Sequence, residues 1–207
     1  MKFNDVDIEW LGHDGFKIKN SKIIYIDPFK ITENEKADLI LITHEHYDHL
    51  SLDDINKIYS SNTLIIASEI CKNNLSKFNN VKFVKPGDKI NVEDIKIEAV
   101  YAYNPNKQFH PKKDLRNGYI LTINNTRIYH AGDTDLIPEM SNLKNIDIAL
   151  LPVSGTYVMD VNEAVEAVKI IKPKIAIPMH YASIIASGKE AEEFKKLASK
   201  YCKVEIL

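Results

Sequence analysis

The sequence predicts one α+β domain, on three observations. Its 207 residues suffice for one substantial core and are short for two ordinary domains. Apolar and β-branched runs alternate first with helical segments and later with hairpin turns, so strands and helices share the chain. One such run, Leu39-Ile40-Leu41-Ile42, reads as a buried strand and leads directly into His44-Glu45-His46-Tyr47-Asp48-His49, a polar cluster at a strand end. No domain boundary, low-complexity linker or solenoid-period repeat divides residues 1–207.

In order, residues 6–10 alternate, and 15–19 and 22–27 follow with Asn20-Ser21 between them, which predicts a meander with a tight hairpin. His13 lies in the turn Gly12-His13-Asp14-Gly15, where it could support a ligand, face substrate or sit at the surface. Asp27-Pro28 ends the third strand; its carboxylate is either a brace for a nearby imidazole or a plain turn residue. Ser51 followed by Asp53 and Asp54 marks a helix start, and the helix runs to about residue 59. Residues 64–67 read as a strand, 69–78 as a helix, and 81–84, 89–92 and 95–103 as strands, with Pro86-Gly87-Asp88 a turn.

Residues 104–117 break the pattern with Pro105, Pro111 and a charge of +3, from Lys107, Lys112, Lys113 and Arg116 against Asp114. Such a basic loop predicts a preference for anionic substrates, with Lys112 among the binding residues, beside the plainer reading of solvated lysines. Residues 118–123 and 126–130 flank Asn124-Asn125, a two-residue hairpin that delivers Gly132-Asp133. Residues 147–152 form a buried strand. Residues 160–171 carry the i, i+3, i+4 spacing of an amphipathic helix through Val161, Ala164, Val165, Val168 and Ile171, stopped by Pro173. A strand over 174–178 ends at His180, a helix spans 189–200, and 204–207 is an edge strand.

Lys+Arg 27 against Asp+Glu 29 leaves a formal charge of −2, which argues against bulk nucleic-acid affinity. No apolar run reaches the roughly twenty residues needed to cross a bilayer, and Met1-Lys2-Phe3-Asn4-Asp5 lacks a signal-peptide core, so a cytoplasmic location is expected. Cys71 and Cys202 are isolated and predict neither a disulfide framework nor a thiolate zinc site.

The chemistry concentrates after residue 43. In extended chain His44, His46 and Asp48 project to one side and can converge on a point, with His49 joining as the chain turns. At this composition His-x-His-x-Asp-His arises by chance in roughly one sequence in two thousand, so a metal site outweighs a solvated loop. Gly-x-Ser-x-Gly, P-loop and Gly-x-Gly-x-x-Gly motifs are missing, and Asp48 stands where His-Glu-x-x-His needs its second His.

This motif resembles that of the metallo-β-lactamase superfamily. Trp10-Leu11-Gly12-His13, Asp27-Pro28-Phe29, Tyr129-His130-Ala131-Gly132-Asp133-Thr134 and Ile177-Pro178-Met179-His180-Tyr181 look like the branch containing L-ascorbate-6-phosphate lactonase. The resemblance implies a four-layer αββα sandwich with metals at one edge of two sheets. It implies two divalent ions, Zn²⁺ by preference with Mn²⁺, Fe²⁺, Ni²⁺ or Co²⁺ allowed by the ligand types. His44 and His46 would hold one ion, Asp48, His49 and His180 the other, and Asp133 would bridge them. The implied activity is metal-bound hydroxide attack on a small ester, lactone or phosphoester, with Asp48 orienting the hydroxide and Tyr157 or Tyr181 assisting the leaving group.

Superfamily members usually place another His after the strand that ends here at Tyr101-Ala102-Tyr103-Asn104, so the first ion lacks a ligand. His110 is the first candidate to replace it, with Asn104 and His130 as alternatives. Competing functions are an RNA or DNA phosphodiesterase, a metal-binding protein without turnover, and a di-iron oxidoreductase, for which the resemblance predicts a carboxylate at His46 and an added flavin domain.

Overall fold

Two seven-stranded sheets follow one another along the chain in the computed structural model, which describes residues 1–32 and 34–207. The first comprises β1 (Lys2–Phe3), β2 (Val6–Gly12), β3 (Gly15–Lys19), β4 (Ile23–Ile26), β5 (Leu39–Ile42), β6 (Leu64–Ser68) and β7 (Val81–Val84), with helix α1 (Leu52–Ile58) between β5 and β6. The second comprises β8 (Lys89–Val92), β9 (Ile95–Tyr101), β10 (Asn117–Ile123), β11 (Thr126–His130), β12 (Ile148–Pro152), β13 (Ile175–Met179) and β14 (Lys203–Val204). Helix α2 (Val161–Ile171) joins β12 to β13, and α3 (Lys189–Ala198) joins β13 to β14.

Both sheets keep chain order and the same plan. β1 to β4 and β8 to β11 pair antiparallel, while β4 to β7 and β11 to β14 pair parallel. Hairpins suffice for the first kind, as at Asn124 and Asn125, whose φ of 46° and 64° are those of a twist-matched two-residue turn. Parallel neighbours need crossovers, and these supply the helices. Pro86-Gly87-Asp88 is the turn by which the chain changes sheets.

The layers follow from strand periodicity. On β5, Leu39 and Leu41 pack into the core between the sheets, with Ile8, Phe16, Leu121 and Leu150, while Ile40 and Ile42 face Ile55 and Ile58 of α1. All four β5 side chains are buried, which explains an apolar run with no polar alternation. Helix α2 begins with Asp160 accepting from the Glu163 backbone while Glu163 returns the bond, and it packs with α3 outside the second sheet. The architecture is therefore the four-layer αββα sandwich.

The last strand covers Lys203–Val204 rather than 204–207, and one expected helix is replaced outright. Residues 69–78 form a short 3₁₀ segment, Glu69–Cys71, followed by turns rather than a helix. Asn73, Asn74 and Ser76 explain this: the Ser76 hydroxyl bonds the Asn73 carbonyl at 3.0 Å, and such local bonds compete with a helical ladder. Among the described residues no helix is long and apolar enough to cross a membrane.

The carboxyl ends of the parallel strands of both sheets meet at one edge, the usual place for a site in such sheets. There the sheets are stitched by Tyr119 Oη donating to the Ile42 carbonyl at 2.8 Å and by the Asn117 N–H donating to the Thr43 carbonyl at 3.1 Å. His13, Asp27 and His180 all adopt left-handed φ at this edge (52°, 42° and 61°), a strain retained where side chains must be aimed.

Candidate metal centre

The segment after β5 supplies His44 and His46, and the neighbours of His44 settle its tautomer. Thr43 Oγ1 donates to Asp27 Oδ2 at 2.5 Å, so at 3.0 Å it accepts from His44 Nδ1–H and leaves His44 Nε2 as a lone pair. His110 reaches the same point from the loop after β9. Its Nδ1–H donates to Asn104 Oδ1 at 2.8 Å while Asn104 Nδ2 donates to the Tyr157 carbonyl at 3.0 Å, so His110 Nε2 is also a lone pair.

Both free nitrogens face His46 Nδ1, at 3.1 Å from His44 and 3.3 Å from His110. His46 can provide at most one proton, so the set holds more acceptors than donors. A cation resolves that surplus, and these separations approach those of ligands sharing one tetrahedral ion with bonds of about 2.0–2.1 Å. Burial pushes His44 well below the ordinary imidazole value and His110 down to about 4, and it also lowers His46. All three are neutral at pH 7, the ligating form.

The second group gathers His13, Asp48, His49 and His180, whose ligand atoms lie within 4.8 Å of one another. His49 Nδ1 donates to Asp27 Oδ2 at 2.8 Å, and His180 Nδ1 meets Ser154 Oγ at 2.8 Å, so both Nε2 atoms turn inward. Burial presses His180 down, but the carboxylates of Asp133 and Asp14 outweigh it and raise His180 to about 9. Burial likewise opposes His49, and Asp133 with Asp27 lifts it well above the ordinary value. His13 Nε2 sits 3.0 Å from Asp48 Oδ2, which helps hold the Asp48 carboxyl below its usual range against burial.

Asp133, at the end of β11, faces both groups. Its Oδ1 lies 3.4 Å from Nε2 of His49 and of His180, and its Oδ2 lies 3.4 Å from His110 Nε2 and 3.9 Å from His44 Nε2. Gly132 makes this possible: its φ is +64°, and a Cβ there would meet the Asn117 carbonyl at 2.8 Å. Asp133 Oδ1 and His49 Nε2 are buried without a hydrogen-bond partner. With His49 Nδ1 donating to Asp27, a deprotonated His49 Nε2 is an acceptor like Asp133 Oδ1, and two buried acceptors with no donor between them fit a divalent cation.

The remaining expectations divide. Asp27 braces an imidazole and is no plain turn residue, and Asn104 orients His110. His13 is buried, which removes its surface reading. His130 is fully used elsewhere: Nε2 donates to the Asp14 carbonyl at 2.9 Å and Nδ1 accepts from the Gly132 N–H at 3.2 Å. Tyr181 stacks on Trp10 with ring centroids 4.6 Å apart and does not line the site pocket.

Two cations of the basic loop are engaged within the fold. Lys112 pairs with Glu139 Oε1 at 2.6 Å over the rings of Tyr101 and Tyr103, and Arg116 grips Glu45 and the Phe109 carbonyl. Carboxylates of the fold itself already neutralise these cations. The pocket over the candidate ligands, about 310 Å³, is walled instead by Tyr47, Phe109, Tyr157 and Ile184. Tyr157 is the one wall residue that the sequence singles out, as an acid for the leaving group; Tyr47, Phe109 and Ile184, with Thr43, Ser154 and Asp14, went unnoticed, and of these Tyr47 alone had a signal, its place inside the histidine motif.

Comparison with known proteins gives the chain's family. Residues 7–180 match the model of the β-lactamase superfamily domain. A UPF0173 metal-dependent hydrolase of Pyrococcus abyssi is 35% identical over 98% of this chain and 96% of its own length. Among solved structures, a protein of Parabacteroides distasonis is 39% identical with a TM-score of 0.85, covering 97% of this chain and 92% of that one. Igni18, a metallo hydrolase of Ignicoccus hospitalis, is 26% identical with a TM-score of 0.83 over 98% of this chain and 94% of that one. The chain belongs to the metallo-β-lactamase superfamily, among its UPF0173 metal-dependent hydrolases.

Proposed function

We propose that this protein is a binuclear hydrolase of small esters or lactones with an uncharged, apolar body. His44, His46 and His110 would hold one ion, Asp48, His49 and His180 the other, with Asp133 between them. The observation that carries this reading is the division of the Asp133 oxygens between the two histidine groups. Bound there, two divalent ions would acidify a water toward a pKa of about 7 and polarise the scissile carbonyl.

The chain's own groups supply the rest. Asp48, held by His13 Nε2, is placed to orient the attacking water and receive its proton. Tyr157 lines the pocket and can donate to the leaving group, a role unsuited to the stacked Tyr181. Tyr47, Phe109 and Ile184 are exposed apolar walls of the pocket and favour an apolar acyl or alcohol part. Among the described residues no Lys or Arg lines this pocket, which favours esters and lactones over phosphoesters and nucleic acid. The His44 group, three imidazoles and a shared carboxylate, suits Zn²⁺.

The test is elemental analysis of protein reconstituted with each candidate metal, followed by turnover of matched aryl esters, lactones and phosphodiesters. Two ions per chain with preference for neutral esters or lactones supports the proposal; one ion, or preference for phosphodiesters, overturns it.

A further inference from the structure

We propose that Asp14 is a further ligand at this centre, a carboxylate beside Asp133 that biases the His49 side toward an oxygen-preferring ion such as Mn²⁺ or Fe²⁺. This rests on the binuclear reading for the presence of ions. Asp14 follows His13 in the turn between β2 and β3, is 0% exposed, and has no hydrogen-bond partner on either carboxyl oxygen. One of those oxygens, a ring nitrogen of His49 and an oxygen of Asp133 lie within 4.8 Å of one another.

The unpartnered atoms of this trio are Asp14 Oδ1 and Oδ2, His49 Nε2 and Asp133 Oδ1. A buried carboxyl group without a donor is costly, and a shared cation removes that cost.

Structural explanations for Asp14 fall away in turn. The outer nitrogens of both neighbouring imidazoles are occupied, His49 Nδ1 by Asp27 and His180 Nδ1 by Ser154, so neither needs Asp14 for orientation. The turn is already pinned through its backbone, since His130 Nε2 donates to the Asp14 carbonyl and the His180 N–H donates to the His13 carbonyl. The side chain is therefore free for a ligand.

Its chemistry sets the ion. The His44 group offers three nitrogens and one carboxylate oxygen, a set for a borderline ion at low coordination number. Asp14 with Asp133 and His49 makes two carboxylates to one imidazole, a set richer in oxygen than the His44 group, and oxygen-rich sets favour harder ions.

The experiment compares wild type with Asp14→Asn and with Asp14→Ser, a smaller substitution that keeps the result readable if the first misfolds. Metal-free protein is titrated with Mn²⁺ and Zn²⁺ by calorimetry, stoichiometry is checked by elemental analysis, and melting temperatures are recorded without metal. We expect wild type to take two ions. Both variants should bind Mn²⁺ at the weaker site at least about 10-fold less tightly, with a smaller loss for Zn²⁺. Without metal they should still melt cooperatively, which separates loss of a ligand from loss of the fold. Unchanged Mn²⁺ affinity, or equal losses for both metals with lower melting temperatures, overturns the proposal. Wild type binding a single ion overturns this proposal and the binuclear reading together. Two ions with the expected Asp14 effect, but no turnover of any ester, lactone or phosphodiester, would sink the hydrolase reading and leave Asp14 standing.

Discussion

His110 Nε2 lies 3.4 Å from Asp133 Oδ2, although the two residues come from a loop and a strand end separated by β10 and β11. The loop after β9 folds back on itself, with the Asn104 N–H donating to the His110 carbonyl at 2.8 Å, and Arg116 clasps it to Glu45 beside His46. If His110 completes the first ion's ligands, His110→Ala should lower bound metal towards one ion per chain. Asn104→Ala, which frees the ring without removing it, should weaken that ion about 10–100-fold. Elemental analysis after dialysis against graded chelator separates the two, and full occupancy in His110→Ala would remove it from the ligand set.

Asp133→Asn should affect both ions, because each oxygen serves a different histidine group. We expect loss of at least one ion and a fall in kcat of at least about 100-fold, as for losing an electrostatic group in a water-poor site. His44→Ala should impair hydrolysis comparably while leaving the far-ultraviolet circular dichroism spectrum intact. Wild-type turnover in either variant would exclude the binuclear mechanism.

In metal-free protein the two groups titrate in opposite senses. His49 and His180 are raised, His180 to about 9, so their stabilisation is fully present below the unfolded value of about 6.5 and is lost as pH rises through the folded value. His44 and His110 are lowered, His110 to about 4, so their neutral forms favour folding above about 6.5 and that contribution is lost as pH falls. The metal-free melting temperature should therefore peak near pH 6.5. Calorimetry showing a steady rise from pH 6 to 9 would contradict this. Metal must also expel protons from His49 and His180, so affinity on that side should increase with pH up to about 9.

Phe109→Ala should raise KM for aryl esters by about 5–30-fold, since a buried aromatic contact contributes on the order of 1–2 kcal/mol. Lys112→Ala should leave both constants unchanged, its charge being committed to Glu139. Steady-state kinetics on one neutral and one anionic ester decide the matter. A KM increase in Lys112→Ala for the anionic ester alone would restore the basic loop as a binding element.

Gly132→Ala should destabilise by about 1–3 kcal/mol, through its positive φ and its approach to the Asn117 carbonyl. At roughly 2–4 °C per kcal/mol, thermal melting registers the change, and displacement of Asp133 should lower metal content with it. An unaltered melting temperature would show that the turn relaxes freely.

The sequence alone determined the elements and the leading ligands, because both are written in short-range order. Period-two and period-3.6 patterns mark strands and α2, and His44, His46, Asp48 and His49 announce themselves as one motif at a strand end. Near Glu69 the reading failed, because turn bonds among Asn and Ser compete locally with a helix that apolar spacing favours. What faces what was decided by tertiary structure. His110 and His130 are both histidines near Asp133 in the chain's logic, yet backbone partners consume one and Asn104 aims the other inward. Lys112 and Arg116 looked available until Glu139 and Glu45 met them across the fold. Asp14 resembled a turn residue and proved to be a buried carboxyl without a partner. Each of these outcomes depends on pairings between residues distant in sequence, and a hydrogen bond or ion pair across the fold leaves no local pattern from which it could be read.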